Sequence, residues 1–343
     1  MKKILILGGC GFVGSNLALF LKDKSFNVYS LDNLSRLGSV LNLKRLKRHG
    51  IKNFNLDITK EKKLKKLPKF DLIIDSCAEA SVEFSRKNVD KVLATNLLGT
   101  YNILKKCAKD STNLIFLSSS RVYALDSLKK IINKKIIKHP IVANKEIDIN
   151  FDTGGPKTFY GFSKLASEYL IKEYSFSSKI KYIINRCGVI SGPWQFGKVD
   201  QGFVSLWVWR SINKLPLSYF GYGGYGHQVR DILSINDLCE LIYLQIKKIK
   251  KIYNLTLSVG GGKKNIISLK NLTNICQKIT KNRIKINLKK KNLTSDYDIP
   301  YFVSSIKDLR KIYKWKPKKN INMIVNDVYS WQKSNFNMLK SFF

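Results

Sequence analysis

Histidine is nearly absent from this 343-residue chain, which contains only His49, His139 and His227. The six cysteines, at positions 10, 77, 107, 187, 239 and 276, form no Cys-x-x-Cys and have no histidine at matching spacing. A structural zinc site is thereby excluded, and no metal is expected. The same scatter excludes a disulfide framework and points to reduced thiols in a cytoplasm. Long apolar runs are missing too: nothing approaches the ~18 residues of a membrane span, so no membrane partner is expected. Behind Met1-Lys2-Lys3, the apolar run Ile4 to Leu7 falls short of the roughly seven-residue core that a secretory leader needs. Acidic side chains are scarce as well, 24 against 62 basic, giving a formal charge of +38. Such an excess invites a nucleic-acid or membrane-surface reading. The lysines, however, are spread through both halves and interleaved with Asn and Ile. The densest run, Lys60 to Lys69, carries Leu64 and Leu67 at helical spacing, as the wet face of a short helix does. No aromatic-basic platform accompanies the charge, so no dedicated nucleic-acid binding is expected.

With 44% apolar residues, the chain can bury a full core. Strand-like apolar runs alternate with amphipathic helical stretches through the first two hundred residues. Strands are expected at Lys3 to Leu7, Asn27 to Asp32, Asn53 to Asp57, Leu72 to Ser76, Leu114 to Ser118 and Lys181 to Asn185. Helices are expected at about Val13 to Lys22, Val40 to Lys47, Asn88 to Lys109 and Tyr160 to Tyr174. This order is that of an α/β, doubly wound parallel sheet of the dinucleotide-binding (Rossmann) type. After Arg186 the texture changes to loops rich in Gly, Trp, Tyr and Gln, with a helix at Phe203 to Ile212, as in a smaller substrate lobe. Val229 to Ile235, the helix Asn236 to Lys247 and the strand Lys251 to Val259 read as a return to the main sheet. Helices near Leu269 to Thr280 and Ile321 to Lys333 complete the C-terminal substrate lobe. The expected division is thus 1–187 with 229–260 for the nucleotide, and 188–228 with 261–343 for the substrate. Residues 125–148 form a lysine-rich insertion between two motifs of the site.

Gly8, Gly11 and Gly14 lie three apart, directly after a strand and at the start of a helix. That pattern gives a tight turn, lets backbone amides approach a pyrophosphate and allows close helix packing, with the helix's positive end toward the phosphates. Asp32 ends the second strand, where a carboxylate accepts ribose hydroxyls and repels a 2′-phosphate, which favours NAD over NADP. Asp57 is placed to meet the adenine edge, or else caps the segment beginning at Thr59. Ser119 ends the fifth strand, at the sheet edge where ligands of such folds gather. Tyr160 and Lys164, four apart on a helix, share one face, so the ammonium can favour the ionised phenol beside a nicotinamide. These three are the candidate catalytic residues, with Tyr160 as general base. Arg230, in Gly226-His227-Gln228-Val229-Arg230-Asp231, can take a diphosphate in bidentate fashion, or can form an Arg-Asp pair that fixes its loop. Trp194, Trp207 and Trp209 stack on a base or fill the lobe core.

In this order the motifs resemble the extended short-chain dehydrogenase/reductases that act on nucleotide sugars. Asn96-Leu97-Leu98-Gly99-Thr100, Gly192-Pro193 and Trp315-Lys316-Pro317 fall in family order with the residues above. Longer strings look like the CDP-paratose (CDP-tyvelose) 2-epimerase branch: Thr153 to Gly161, Asn185 to Gln195, and Lys198-Val199-Asp200-Gln201-Gly202. The resemblance implies an NAD-dependent epimerase of nucleotide sugars, with a CDP-hexose the favoured substrate. Tyr160 would take a sugar hydroxyl proton while hydride leaves the carbon, giving a transient 2-keto-sugar that is reduced from its other face. It further implies NAD contacts from Phe12, Val13, Asn33, Ile58, Ala78, Asn96 and Cys187. Substrate contacts are implied for Ser120, Arg121, Gln195, Gln201, Trp207 and Arg230. A homodimer or homotetramer using the helices Asn88 to Lys109 and Tyr160 to Tyr174 is implied as well.

Four departures stand out. Ser120 and Arg121 occupy the places where dehydratases of the family put an Asp-Glu pair, which speaks against loss of water. Val189 stands where many relatives have an asparagine near the diphosphate, Ser295 where a phosphate-binding arginine is usual, and Ala124 where a glycine is. The catalytic groups do not say which hydroxyl reacts, so a UDP-sugar 4-epimerase is the alternative. A non-catalytic NAD-binding protein is the reading from another class.

Overall fold

In the computed structural model, which describes residues 2–142, 145–197, 201–287 and 294–343, the chain forms two compact units. The first comprises Met1–Val122, Thr158–Arg186 and Leu238–Leu257; the second comprises Tyr123–Lys157, Cys187–Asp237 and Ser258–Phe343.

The first unit is built on a seven-stranded sheet. Its strands are β1 (Lys3–Leu7), β2 (Asn27–Leu31), β3 (Lys52–Phe54), β4 (Leu72–Asp75), β5 (Asn113–Ser119), β6 (Tyr182–Cys187) and, after a further two strands in the chain, β9 (Leu255–Val259), in the order β3-β2-β1-β4-β5-β6-β9. The pairs from β3 to β5 are parallel. The order reverses direction between β1 and β4, the topological switch point at which ligands of doubly wound sheets bind. Central strands β1 and β4 are buried on both faces, as continuous Ile/Leu runs between two helical layers must be. Their side chains join Ile103, Leu104, Phe116, Ile171 and Ile184 in one core.

The expected elements of this unit are present, with two instructive differences. β3 stops at Phe54, short of Asp57, because the Leu56 amide turns back onto the Phe54 carbonyl at 2.9 Å. The expected single helix Asn88 to Lys109 is instead Val89–Val92, a π-helical stretch Leu93–Leu98 and an α-helix Gly99–Asp110. Such wide turns recur at functional sites, and this one contains Asn96.

The second unit has a small sheet centred on β8 (Val229–Ser234), which pairs in parallel with β7 (Val189–Ser191) and β11 (Tyr301–Phe302) and antiparallel with β10 (Ile266–Ser268). Here a sequence expectation is corrected: Val229 to Ile235 does not rejoin the main sheet. Its burial on both faces marks it as a central strand, but that pattern carries no information about which sheet is central. Helices Phe203–Ile212, Leu269–Thr280 and Ile321–Ser334 pack beside it around Trp207, Leu272 and Val325. The insertion opens with a helix, Leu125–Ile131, and ends where Ile147 bridges Ser304. No described helix is long and apolar enough to cross a membrane.

Candidate active site

The turn after β1 is shaped for close approach. Gly8 adopts φ +66°, and a Cβ on Gly14 would lie 2.2 Å from the Gly8 carbonyl oxygen, so only glycine lets the helix Phe12–Asp23 start against this turn. Gly11 caps that helix with extended backbone; no side chain bonds the free amides, and no acidic residue lies in the first turn. Phe12 and Val13, half-buried, open it. The result is a set of unfilled N–H donors at a positive helix end, which fits a pyrophosphate.

Asp32 stands one residue beyond β2 and locks the same turn. Its carboxylate accepts the Cys10 amide at 3.0 Å and the Leu34 amide at 2.8 Å. Burial pushes its pKa above the ordinary value, against these two amides and the Arg36 charge. Each oxygen keeps a free lone pair, enough to accept a ribose hydroxyl. Asp57 makes both of the interactions weighed from sequence possible. One oxygen holds the Thr59 amide at 2.8 Å and hydroxyl at 2.7 Å; the other accepts from Asn33 at 2.8 Å and faces the exposed side. Partial burial pushes Asp57 up, but the Thr59 and Asn33 hydrogen bonds outweigh it and leave its pKa below the usual carboxylate value. Ile58 turns its side chain into the core, where a Cβ on Gly99 would meet it at 2.5 Å, so only its main chain can serve a ligand.

Asn96 is buried at 1% exposure, and its amide group clamps two segments. It accepts the Glu79 amide at 2.8 Å and donates to the Glu79 carbonyl at 3.2 Å and the Ser163 hydroxyl at 3.0 Å. This fixes the Ala78–Glu79 loop after β4 to the helix Phe159–Ser178. Ser163 and Ser167 complete the clamp, Ser167 donating to the Asn96 carbonyl at 3.0 Å. Neither serine stood out in the sequence, where a small hydroxyl on a helix face looks like any other.

Tyr160 and Lys164 occupy the first turns of that helix, which is capped by Thr158 accepting the Gly161 amide at 3.0 Å. Gly161 explains how closely this helix approaches the end of β5: a Cβ there would lie 2.0 Å from the Arg121 carbonyl oxygen. Any side chain would push the helix off the turn Ser120–Val122 that follows Ser119. Ser119, 8% exposed, accepts the Arg121 amide at 3.2 Å and keeps its own hydroxyl proton available. Tyr160 is 9% exposed and Lys164 only 2%, its ammonium bonded to the Cys77 carbonyl at 3.3 Å and lying 4.4 Å from the centre of the Phe116 ring. Below them, a buried network that the sequence reading missed sets the registry. Glu168 accepts from Ser118 at 2.5 Å and is gripped by Arg186 through contacts of 2.8–3.1 Å. A Glu four residues after the lysine, on the same helix face, was the available signal.

The family described as "NAD dependent epimerase/dehydratase family" matches residues 4–256. The chain belongs to this family. Its cofactor is accordingly NAD, and the glycine turn, Asp32 and the Asn96 clamp fit that group. Among curated relatives, the epimerase/dehydratase chain is 29% identical to the CDP-paratose 2-epimerase of Salmonella typhi, over 97% of this chain and 99% of that one. Among solved structures it resembles the UDP-glucose 4-epimerase of Thermotoga maritima bound to UDP-glucose, with a TM-score of 0.82, 21% identity and coverage of 97% of this chain and 99% of that one. A Bacillus cereus UDP-glucuronic acid 4-epimerase mutant in complex with NAD is similar at a TM-score of 0.80 and 21% identity, covering 97% and 99%.

In the second unit the expected substrate residues of this family member differ in their availability. Arg230 donates to the Val229 and Ile299 carbonyls, each at 2.8 Å, and lies 3.5 Å from Asp298. It does not pair with Asp231: neighbours on a strand point to opposite faces. Gln195 bonds the Ile190 carbonyl and Ser191 hydroxyl at 3.1 Å each, bracing the turn after β7. Trp207 takes the core-filling role of the two read from sequence, rather than the substrate contact that the resemblance implies. It is 6% exposed inside the core and spends its indole N–H on Thr273 at 3.1 Å, so no face remains for a base. Gln201 is half-buried; Lys198, Val199 and Asp200 of the same string lie outside the described residues. Cys187, the last residue of β6, is buried, and Ser120 and Arg121 are half-buried in the turn after Ser119.

Proposed function

We propose that this protein is a nucleotide-sugar epimerase that inverts the 2-position of a CDP-hexose through a transient keto-sugar. What supports this reading is that Ser119 ends β5 and that Tyr160 and Lys164 lie on the helix packed against the turn after it, in a chain similar over nearly its whole length to a CDP-paratose 2-epimerase. Bound NAD would supply reversible two-electron exchange with the sugar carbon. Ser119 donates its hydroxyl proton to the sugar oxygen and so fixes the carbon's position. Tyr160 takes that oxygen's proton as the general base and returns it after the keto-sugar has turned. The buried ammonium of Lys164 favours the ionised phenol. Ser120 and Arg121 offer no carboxylic acid to drive elimination, which separates this site from a dehydratase.

Within this reading the first unit serves the cofactor, while Gln201 and Arg230 in the second serve the nucleotide end. Free thiols and a need for NAD and a nucleotide sugar support the reading of a cytoplasmic enzyme that supplies polysaccharide precursors. A UDP-sugar 4-epimerase is the second reading, favoured by the likeness to the Thermotoga maritima structure. The two separate in one experiment. The purified protein is denatured to release its nucleotide, then the native protein is incubated in deuterium oxide with CDP-, UDP-, GDP- and dTDP-hexoses. The expected result is NAD in the extract and a CDP-hexose inverted at carbon 2 without deuterium entering that carbon. Inversion of a UDP-sugar at carbon 4 would establish the second reading, and deuterium at the inverted carbon would overturn the redox scheme.

A further inference from the structure

We propose that Glu79 is a specificity-determining residue for the cofactor: its carboxylate cancels the charge that Arg36 brings to the ribose-binding end of the site, so that Asp32 and Glu79 together refuse NADP. The inference rests on the family's cofactor and not on which sugar is turned over.

Two residues of the loop after β2 give opposite instructions. Asp32 is the carboxylate that accepts ribose hydroxyls and repels a 2′-phosphate, whereas an arginine nearby is the group that accommodates that phosphate in NADP enzymes. Arg36 is an exposed arginine in this loop, four residues beyond Asp32. The chain does not carry it away. The Leu34 amide turns back onto the Asp32 carboxylate at 2.8 Å, with Leu34 at φ +57°, and the Ser35 amide donates to the Asn33 side chain at 3.1 Å. The Arg36 charge is felt at Asp32, where burial pushes the carboxyl's pKa up and the Leu34 and Cys10 amides, then Arg36, oppose it.

The rest of the chain sharpens the conflict. With 62 basic and 24 acidic residues and a formal charge of +38, the protein attracts anions, and NADP with its additional phosphate more strongly than NAD. Discrimination against that phosphate must therefore be local.

Glu79 supplies it from the other side of the glycine turn. β2 and β4 flank β1, and Gly8 is wedged between the loops that follow them: its amide donates to the Leu31 carbonyl at 2.9 Å, and a Cβ on it would lie 3.0 Å from the Cys77 Cα. Arg36 bridges these two loops, its guanidinium donating to the Glu79 carboxylate at 3.1 Å and the Ala78 carbonyl at 3.3 Å. The second Glu79 oxygen lies 3.9 Å from the Lys91 ammonium. The backbone of Glu79 is held at both its amide and its carbonyl by Asn96, at 2.8 and 3.2 Å, so the carboxylate is placed by the loop and not by the arginine alone. Its side chain is 15% exposed, against 42% for Arg36 and 58% for Lys91. As a prop for stability a pair this exposed contributes little; as a local balance of charge it acts on any anion bound beside it.

Glu79→Gln keeps an acceptor for the guanidinium and removes the charge. Wild type and variant are exchanged to constant composition against a mixture of NAD with NADP in large excess, freed of unbound nucleotide and denatured, and the extracts are resolved by chromatography. Wild type should hold NAD in far greater share than the mixture offers. The NADP:NAD ratio should rise about fivefold in Glu79→Gln, the order for one unit charge a few ångströms away in a largely solvated place. The gain should shrink at high salt. In the Arg36→Gln/Glu79→Gln double variant the ratio should return to that of the wild type. A merely structural Glu79 would lower the melting temperature and the retention of both dinucleotides together, leaving their ratio alone. An unmoved ratio in a folded Glu79→Gln protein, or a gain that survives the loss of Arg36, overturns the proposal. Should Glu79→Gln not fold, Arg36→Gln decides: with the Glu79 charge left uncancelled, the ratio should fall about fivefold, and an unchanged or raised ratio overturns the proposal. A wild-type extract holding neither dinucleotide would refute the cofactor assignment, and this inference with it.

Discussion

Asp231 is adjacent to Arg230 in sequence and opposite to it in space. Its carboxylate is buried, accepting the Gly262 amide at 2.9 Å, and a Cβ on Gly260 would lie 2.3 Å from it. Burial pushes its pKa from 3.8 up to about 6, against the bonds from Gly262 and Ser304. The folded form therefore binds the proton more tightly than the unfolded chain. Stability from this group is complete below pH 4 and is lost as pH rises to about 6, by about 3 kcal/mol. Asp231→Asn should flatten that decline, melting above the wild type at pH 7 to 8 but not at pH 4, as calorimetry across the range would show. At the same scale, Tyr160→Phe should keep NAD bound while reducing turnover by at least about a hundredfold, measured on whichever sugar the protein inverts. The positions of Tyr160, Lys164 and the glycines were legible because local spacing on a helix or a turn fixes their geometry. Trp207 was not: whether an aromatic faces a ligand or a core depends on what packs against it.

The helix Phe159–Ser178 ties catalysis to folding. Its Glu168 meets Arg186 of β6 and Ser118 of β5, with side-chain exposures of 1% and 7% for the ion pair. Glu168→Ala would strand a buried guanidinium, a change that lowers stability by about 3–5 kcal/mol. Denaturant unfolding should show that loss, with a smaller one for Glu168→Gln, which keeps a hydrogen-bond acceptor. Elements were legible wherever amphipathic period and turn residues agreed, as for Lys3–Leu7 and Phe203–Ile212, whose bounds match the expectation. The π-helical stretch at Leu93–Leu98 and the sheet to which Val229–Ser234 belongs were not, since both are set by partners remote in sequence.

Over the whole molecule, the same helix leaves Phe162, Tyr169 and Phe176 exposed at 48%, 55% and 80%, seven residues apart along one stripe. Leu98 and Tyr101, on the neighbouring helical segment, are exposed at 55% and 37%. A second copy of the chain is the occupant proposed for this face, and sedimentation of the Tyr169→Asp/Phe176→Asp double variant should give half the mass of the wild type. The doubly wound character was legible from the alternation of strands and helices, but the tertiary division was not. Residues 123–157 and 229–237 lie with the second unit, a matter of packing that periodicity does not encode.

The central sheet has one further consequence. Its strands are gathered from three stretches of chain, and its edge strand, Leu255–Val259, is made only after three quarters of the polypeptide. During synthesis the outer hydrogen-bonding edge of β6 must therefore wait, unpaired, while residues 188–254, most of them in the other unit, leave the ribosome. A strand edge held open through that interval is a ready template for pairing with another chain, so slow or interrupted translation there should favour aggregation.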